Sequence, residues 1–247
     1  MTRCQQGTLI DCPVCGGTRF VALFYKSGQR FVRCDDCSLV LINPQPAAEA
    51  LNAMYEANYS NRYIHKRARK LWRARRRVRQ LARYVTSGRW LDIGCSTGFV
   101  LAAARDAGFD VYGSDVDSTG LAYAREEFGI ENLNHGYFED AGYPDGHFDV
   151  VTLYDVIERV PDLNRTVAEL ARILAPGGTM EIWTPDVGHW RRPKRLESWN
   201  AIMPSKHLYY FSIDTFSALV DRYNLGIVRR RITLKPGLQV YLQHRQD

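Results

Sequence analysis

The chain holds 247 residues, 45% of them hydrophobic and 24% charged, with a formal net charge of +6. That length accommodates one full α/β core with a small appendage, and the composition excludes wholesale disorder. No apolar run approaches the ~18 residues that cross a bilayer, and the opening MTRCQQGTLIDC has no apolar signal region, so the expectation is a cytoplasmic protein without a membrane partner.

The positive charge is local. Twelve of the 33 Lys and Arg lie between Ala57 and Leu91, a stretch with no Asp or Glu, which leaves 21 basic against 27 acidic groups elsewhere.

Residues 1–46 form a first module, with short strand-like runs TRFVALFY, RFVRC and LVLIN ended by NPQP. Two pairs, Cys12 with Cys15 and Cys34 with Cys37, are separated by eighteen residues. Four soft ligands at this spacing suit a tetrahedral metal, read as zinc, with iron as the weaker alternative. Four cysteines close the coordination shell, so the metal is expected to be structural, folding a module too small to hold itself together. Cys4 and Cys95 are read as ordinary thiols.

Residues 47–87 read as a helical, Arg-rich connector. Ile64, Leu71, Val78 and Val85 recur every seven residues, with Ala68, Leu81 and Ala82 beside them, as one narrow apolar stripe. The cations Arg69, Lys70, Arg73, Arg75, Arg76, Arg77 and Arg79 allow two readings: a track for phosphates of RNA or of a nucleotide-linked substrate, or a solvated helix face. The second is preferred.

Residues 88–247 alternate strand-like and helix-like runs: RWLDIG, GFVLAAARDAG, DVYGSD, STGLAYAREEFG, NLNHGYF, FDVVTLYD, DLNRTVAELARIL, the turn APGG, then TMEIWTP. That alternation predicts a mostly parallel sheet with helical crossovers. An irregular stretch at 186–206 and a helix near 212–224 precede GIVRRRITL and LQVYLQH, expected to pair as an antiparallel edge hairpin. In LDIGCSTG, a dinucleotide-binding turn would need glycines at 94, 96 and 99; the chain has Gly94, Ser96 and Phe99. Asp115 closes the second strand ~20 residues on, where a carboxylate bridges two ribose hydroxyls. The expected ligand is an adenosine without a pyrophosphate.

With these motifs in this order, the chain resembles the class I S-adenosylmethionine-dependent methyltransferases. The resemblance is carried by the glycine turn, by Asp115 and by FDVVTLYDVIERVPDLNRTVAELARILAPGGTMEIWTPD. The CxxC pairs, LINPQP and the basic helix ahead of the turn resemble a subgroup with an N-terminal zinc ribbon, associated with sugar, polysaccharide or natural-product modification. The resemblance implies a Rossmann-like α/β fold with a seven-stranded sheet, S-adenosylmethionine as cofactor and a small-molecule methyl acceptor. It implies that Asp92, Gly94, Ser96 and Gly98 surround the methionine part, that Asp115 holds the ribose, and that Phe138 and Glu139 flank the adenine. Tyr154 and Asp155 would lie near the sulfonium. Where the family usually has Glu-His, this chain has Glu158-Arg159.

The acceptor side is expected in DVGHWRRPKRLESWNAIMPSKHLYYFS, with Trp190 and Trp199 as walls and Arg191, Arg192, Lys194 and Arg195 for anionic groups. His207 is the expected base, because histidine titrates near neutral pH, with His189 as second choice. Each site residue has a plainer reading: Asp92 and Asp155 as local caps, His207 as a tie between loop and helix. Two rival functions are RNA methylation, using the zinc module and basic helix for docking, and a non-catalytic zinc-ribbon interaction protein.

Overall fold

The strand–helix alternation after Gly88 builds one sheet. The computed structural model describes residues 7–46, 67–204 and 206–246. Its seven-stranded sheet contains β4 (Arg89–Ile93), β5 (Asp110–Asp115), β6 (Leu133–His135), β7 (Phe148–Tyr154), β8 (Leu174–Pro185), β10 (Leu225–Arg231) and β11 (Gly237–His244). The order is β10-β11-β8-β7-β4-β5-β6. β8, β7, β4, β5 and β6 run parallel, whereas β11 is antiparallel to both β8 and β10, as the closing hairpin predicts. Strand order reverses beside β4, the start of the parallel set.

The central strands are buried on both faces, so they read as apolar runs: Trp90, Leu91, Val150, Val151 and Leu153 are all fully enclosed. Between β7 and β8, α4 (Leu163–Ile173) begins at Asp162, whose side chain accepts from the Arg165 N–H at 3.0 Å. It buries Leu163, Thr166, Val167, Leu170 and Ile173, one face of a 3.6-residue period. The expected APGG turn is absorbed into the start of β8. Pairing jumps from Phe148↔Leu174 to Val150↔Thr179, so the Pro-Gly-Gly segment bulges out of the ladder, with Gly177 at φ 76°.

The N-terminal strands β1 (Phe20–Lys26), β2 (Gln29–Cys34) and β3 (Val40–Ile42) form a separate antiparallel sheet. Its fourth strand, β9 (Tyr209–Tyr210), comes from the far end of the chain and pairs Val40↔Tyr210 and Leu41↔Tyr209. A three-strand sheet leaves an edge of unpaired N–H and C=O groups, and β9 satisfies it. Val14, Val32, Leu39 and Leu41 share one core with Leu208, Phe211 and Phe216, the last on α5 (Ile213–Asp221).

α1 (Arg67–Leu81) packs against α2 (Phe99–Asp106). Residues 47–66, with Ile64, lie outside the described residues. Ala74, Val78 and Leu81 are buried and Leu71 partly so, while Ala68 is exposed; Ala82 and Val85 follow the helix end. Two of its outer cations are tied intramolecularly, Arg67 to Glu127 on α3 (Ser118–Phe128) and Arg75 to Asp106. Lys70, Arg73 and Arg77 instead line the molecule's main cavity. The solvated-face reading is corrected for these three, because steps of three and four residues bring them to one flank of the buried stripe. Among the described residues no helix is long and apolar enough to cross a membrane.

Candidate functional site

A cavity of about 350 Å³ opens at the carboxyl ends of β4, β5 and β7, where the strand order reverses. Its floor is the turn after β4. Gly94 has φ 71°, and a Cβ there would lie 2.4 Å from Val156 Cγ2. Gly98 has φ 73°, and its Cβ would lie 2.7 Å from that of Ala124. Both positions require glycine. Ser96 also sits in the left-handed region, at φ 47°. Its N–H donates to Asp115 Oδ2 at 2.7 Å, and the Asp117 N–H donates to Oδ1 at 2.8 Å. Two backbone donors thus fix the Asp115 carboxylate, and each oxygen retains accepting capacity toward the cavity. Ser96 Oγ is buried and, among the described residues, has no hydrogen-bond partner.

Asp92 is only 3% exposed; its Oδ1 accepts from Thr152 Oγ1 at 2.6 Å, and Trp90 Nε1 donates to the same hydroxyl at 3.1 Å. Among the described residues its carboxylate accepts from a side-chain hydroxyl and from no backbone amide. Burial pushes its carboxyl up to about 7, opposed by the Thr152 hydrogen bond and by Arg77. A carboxylate whose folded pKa exceeds its unfolded value loses stability as pH rises from about 4 through 7. Asp92→Asn is therefore expected to raise the urea-unfolding free energy of the ligand-free protein at pH 8 by up to about 4 kcal/mol, at 1.36 kcal/mol per pKa unit. The gain should vanish near pH 4. Comparing variant with wild type isolates Asp92 from His207, whose depressed pKa tilts stability the opposite way.

Phe138 and Glu139 form a single turn after β6 and line the cavity. Glu139 Oε1 accepts from Thr166 Oγ1, and Oε2 is buried with no partner among the described residues. Tyr154 ends β7. Its hydroxyl donates to Glu181 Oε2 at 2.8 Å, and Glu181, wholly buried on β8, also accepts from Gln239 and Tyr241. The Arg77 guanidinium lies 3.8 Å from the centre of the Tyr154 ring. Asp155 has φ 59° and among the described residues caps no backbone N–H, so the capping alternative fails. Burial raises its carboxyl, while Arg159 and Arg77 lower it.

Glu181 is the residue beside the site that sequence reasoning missed, whereas Lys70, Arg73 and Arg77 were read on a preferred solvated face and instead line the cavity. A charged residue inside the apolar strand TMEIWTP was the available signal for Glu181.

The expected acceptor residues lie elsewhere. His207 is 1% exposed, and among the described residues no histidine lines the cavity. Its Nε2 stands 3.6 Å from Glu158 Oε1, and burial, followed by Arg159, depresses it to about 3. The expectation of a neutral-pH base at the acceptor is corrected: at neutral pH His207 is an enclosed, uncharged ring. Trp190 is 75% exposed and stacks on His189, which reaches Thr233 O at 3.0 Å. Trp199 is buried with Phe31, Ile42 and Tyr210. Neither tryptophan lines the cavity.

In the first module the ligand atoms of Cys12, Cys15, Cys34 and Cys37 lie within 4.8 Å of one another. Cys12 Sγ is 3.4 Å from Cys37 Sγ, and Cys15 Sγ is 3.5 Å from Cys34 Sγ. A tetrahedron with 2.3 Å metal–sulfur bonds has edges of about 3.8 Å, so the cluster fits such an ion. Each CxxC folds as the same knuckle: the Gly16 N–H donates to Cys12 O and the Ser38 N–H to Cys34 O, both in the left-handed region. Cys95 is buried apart from them.

A family described as a methyltransferase domain matches residues 63–229. A probable S-adenosylmethionine-dependent methyltransferase of Mycolicibacterium smegmatis is 32% identical over 96 residues, covering 39% of this chain and 37% of the relative. A ubiquinone biosynthesis O-methyltransferase of Aromatoleum aromaticum is 37% identical over 95 residues, covering 36% and 41%. An arsenite methyltransferase of Aquipseudomonas alcaligenes is 37% identical over 117 residues, covering 41% and 33%. The chain thus spans only about two fifths or less of these relatives' length. Among solved structures, the Burkholderia thailandensis 1,6-didemethyltoxoflavin-N1-methyltransferase superposes with a TM-score of 0.63 at 16% identity, covering 91% of this chain and 99% of that one. That likeness, at so low an identity, concerns the fold. With the family match extending over about two thirds of the sequence and the glycine turn, Asp115 and the sheet order all in place, the chain belongs to the class I S-adenosylmethionine-dependent methyltransferases.

Proposed function

We propose that the protein methylates a small-molecule acceptor, a sugar or natural-product intermediate, with S-adenosylmethionine as donor. The observation that carries this reading is the Asp115 carboxylate, held by two backbone N–H groups over a glycine turn, beside an unpartnered buried Ser96 hydroxyl. A bound nucleoside supplies partners to both. Asp115 holds the ribose hydroxyls; Phe138 and Glu139 border the adenine, with the orphaned Glu139 Oε2 as an acceptor. Asp92 and the carbonyls of the Gly94–Gly98 turn receive the ammonium group, and that positive charge repays the ionisation of Asp92. When bound, the cofactor supplies an electrophilic methyl group on a sulfonium sulfur.

The chain's own work is alignment and proton removal. Glu181 fixes the Tyr154 hydroxyl, and the ring, clamped under Arg77, forms a rigid wall for the reacting atoms. Asp155 receives the proton of an acceptor that must lose one. Asp155→Asn is expected to lower kcat about 100-fold with S-adenosylhomocysteine affinity within threefold of wild type; unchanged turnover would remove Asp155 from the chemistry. Calorimetry with S-adenosylhomocysteine, followed by transfer of a labelled methyl group to an acceptor panel, tests the reading as a whole.

The four cysteines hold a structural zinc ion in this proposal, with no coordination position left for substrate. RNA docking draws no support from Lys70, Arg73 and Arg77, which line the cavity, nor from Arg67 and Arg75, which pair with Glu127 and Asp106.

A further inference from the structure

The segment HWRRPKR, expected at the acceptor, does not line the cavity, yet it has a neighbour in space. It follows β8, which runs parallel to β7, so it leaves the sheet at the end where the cavity opens. The turn between β10 and β11 lies at that end too, because Gly237 at the start of β11 pairs with Pro185 at the end of β8. His189 joins the two. Its Nδ1 accepts from the Arg191 N–H at 3.0 Å, so Nε2 carries the ring's proton and donates to Thr233 O at 3.0 Å. The Thr233 hydroxyl is engaged within its own turn, by Lys235 O at 2.5 Å and Gly237 O at 3.0 Å. With Thr233 held in this way, its two neighbours stand in water: Ile232 is 89% exposed and Leu234 75%. Trp190, stacked on the His189 ring, is equally exposed at 75%.

One exposed leucine needs no account, but three large apolar side chains on two tied turns mark a contact surface. The charge around them has a single sign. Residues 187–196 and 225–236 hold eight Lys and Arg and no Asp or Glu. Arg191, Lys194, Arg195 and Lys235 are exposed, and the Arg191 guanidinium lies 5.4 Å from the centre of the Trp190 ring. Of the carboxylates that flank the first segment, Asp186 is enclosed and paired with Arg230 at 3.1 Å, and Glu197 lies beyond Leu196.

This combination fits an anionic lipid surface. A tryptophan ring seats at headgroup level, aliphatic side chains enter the acyl boundary, and Lys and Arg meet lipid phosphates. Single-stranded nucleic acid stacks its bases on aromatic faces and would leave Ile232 and Leu234 in water. A second copy docked about a two-fold axis would set these cations against their own images. No helix among the described residues spans a membrane, and a surface contact needs none.

We infer that the protein docks peripherally on anionic bilayers through Trp190, Ile232 and Leu234, flanked by Arg191, Lys194, Arg195 and Lys235. Docking there brings the cavity's end of the sheet to the lipid surface. The inference does not depend on the methyltransferase reading of the cavity.

The test is sedimentation of the full chain with vesicles of phosphatidylcholine, alone or with about one quarter phosphatidylglycerol. Partitioning onto the anionic vesicles should be about tenfold stronger or more, and added salt should release the protein. Tryptophan emission should shift to the blue as Trp190 leaves water. Trp190→Ala, and Ile232→Ser combined with Leu234→Ser, should each weaken partitioning about 10-fold or more, the loss of apolar side chains from the acyl boundary. Arg191→Gln combined with Lys194→Gln and Lys235→Gln should weaken it about 100-fold, the loss of three near-surface cations. All these side chains are exposed, so melting temperatures should stay near wild type. Trp72→Ala, at an exposed tryptophan on α1, should leave partitioning unchanged.

Absence of binding to the anionic vesicles overturns the inference. So does binding that survives both Trp190→Ala and the Ile232–Leu234 double variant, or that is lost in Trp72→Ala instead. Single-stranded RNA binding that requires Trp190, without vesicle binding, overturns it and assigns the patch to nucleic acid. A dimer that Trp190→Ala dissociates, again without vesicle binding, overturns it in favour of a second copy.

Discussion

Asp115→Ala is expected to weaken S-adenosylhomocysteine binding by about 1,000-fold while the protein stays folded. The carboxylate has two roles in one place. It accepts from the N–H groups of Ser96 and Asp117, which sets the turn, and it lines the cavity where the proposed ribose would be held. Two charge-assisted hydrogen bonds to ribose hydroxyls, at roughly 1.5–3 kcal/mol each, correspond to about 10² to 10⁴ in affinity. Truncation also leaves two backbone donors unsatisfied beside Ser96, which already sits at φ 47° and depends on its surroundings to stay there. Asp115→Asn separates the two effects, since one amide oxygen can serve only part of the acceptor set. It should fall between Ala and wild type. Calorimetry decides: a dissociation constant for Asp115→Ala within threefold of wild type would place the nucleoside somewhere other than this cleft.

Metal removal is the second large effect. The purified protein should contain one zinc per chain, and Cys34→Ser should contain none, whereas Cys95→Ser, outside the cluster, should keep its metal. A metal held at a thousandfold its dissociation constant stabilises the folded state by about 4 kcal/mol. For a chain of this size that equals a fall of roughly 8–16 °C in melting temperature on chelation. The loss should travel. Cys12 and Cys34 are buried in the same core as Leu41, Leu208 and Phe211, and β3 pairs with β9. The N–H groups of Leu208 and Tyr209 in turn donate to Glu158 O, next to Arg159 in the cavity wall. Chelation should therefore slow methyl transfer, through the Glu158–Arg159 wall, before it weakens binding of S-adenosylhomocysteine, whose proposed contacts lie at the ends of β4, β5 and β6. A protein without bound metal, or a melting temperature indifferent to chelation, would contradict this.

Local chemistry made much of this molecule legible. Gly94, Gly98 and Asp115 are readable because a tight turn after a strand demands positive φ, and because a carboxylate at the end of the next strand lies beside it. The CxxC pairs are readable because metal ligands come in fixed short spacings. The hairpin KPG predicted the antiparallel edge for the same reason. His207 misled because its residue type promised a titratable base, and only packing reveals that it is walled in behind Glu158. Position 77 misled in the opposite direction: one arginine among many on a basic helix reads as solvated until the helix is docked.

The sequence by itself thus determined the mostly parallel α/β sheet with its antiparallel edge, the cysteine cluster and the glycine turn that lies beside Asp115. These follow from periodicity and from residues near one another in the chain. Tertiary structure alone decided that Tyr209–Tyr210 completes the N-terminal sheet, that Glu181 anchors Tyr154, and that Arg77 and Arg159 line one cavity. Those arrangements join residues dozens to well over a hundred positions apart, and their burial depends on how whole elements pack, which no local pattern encodes.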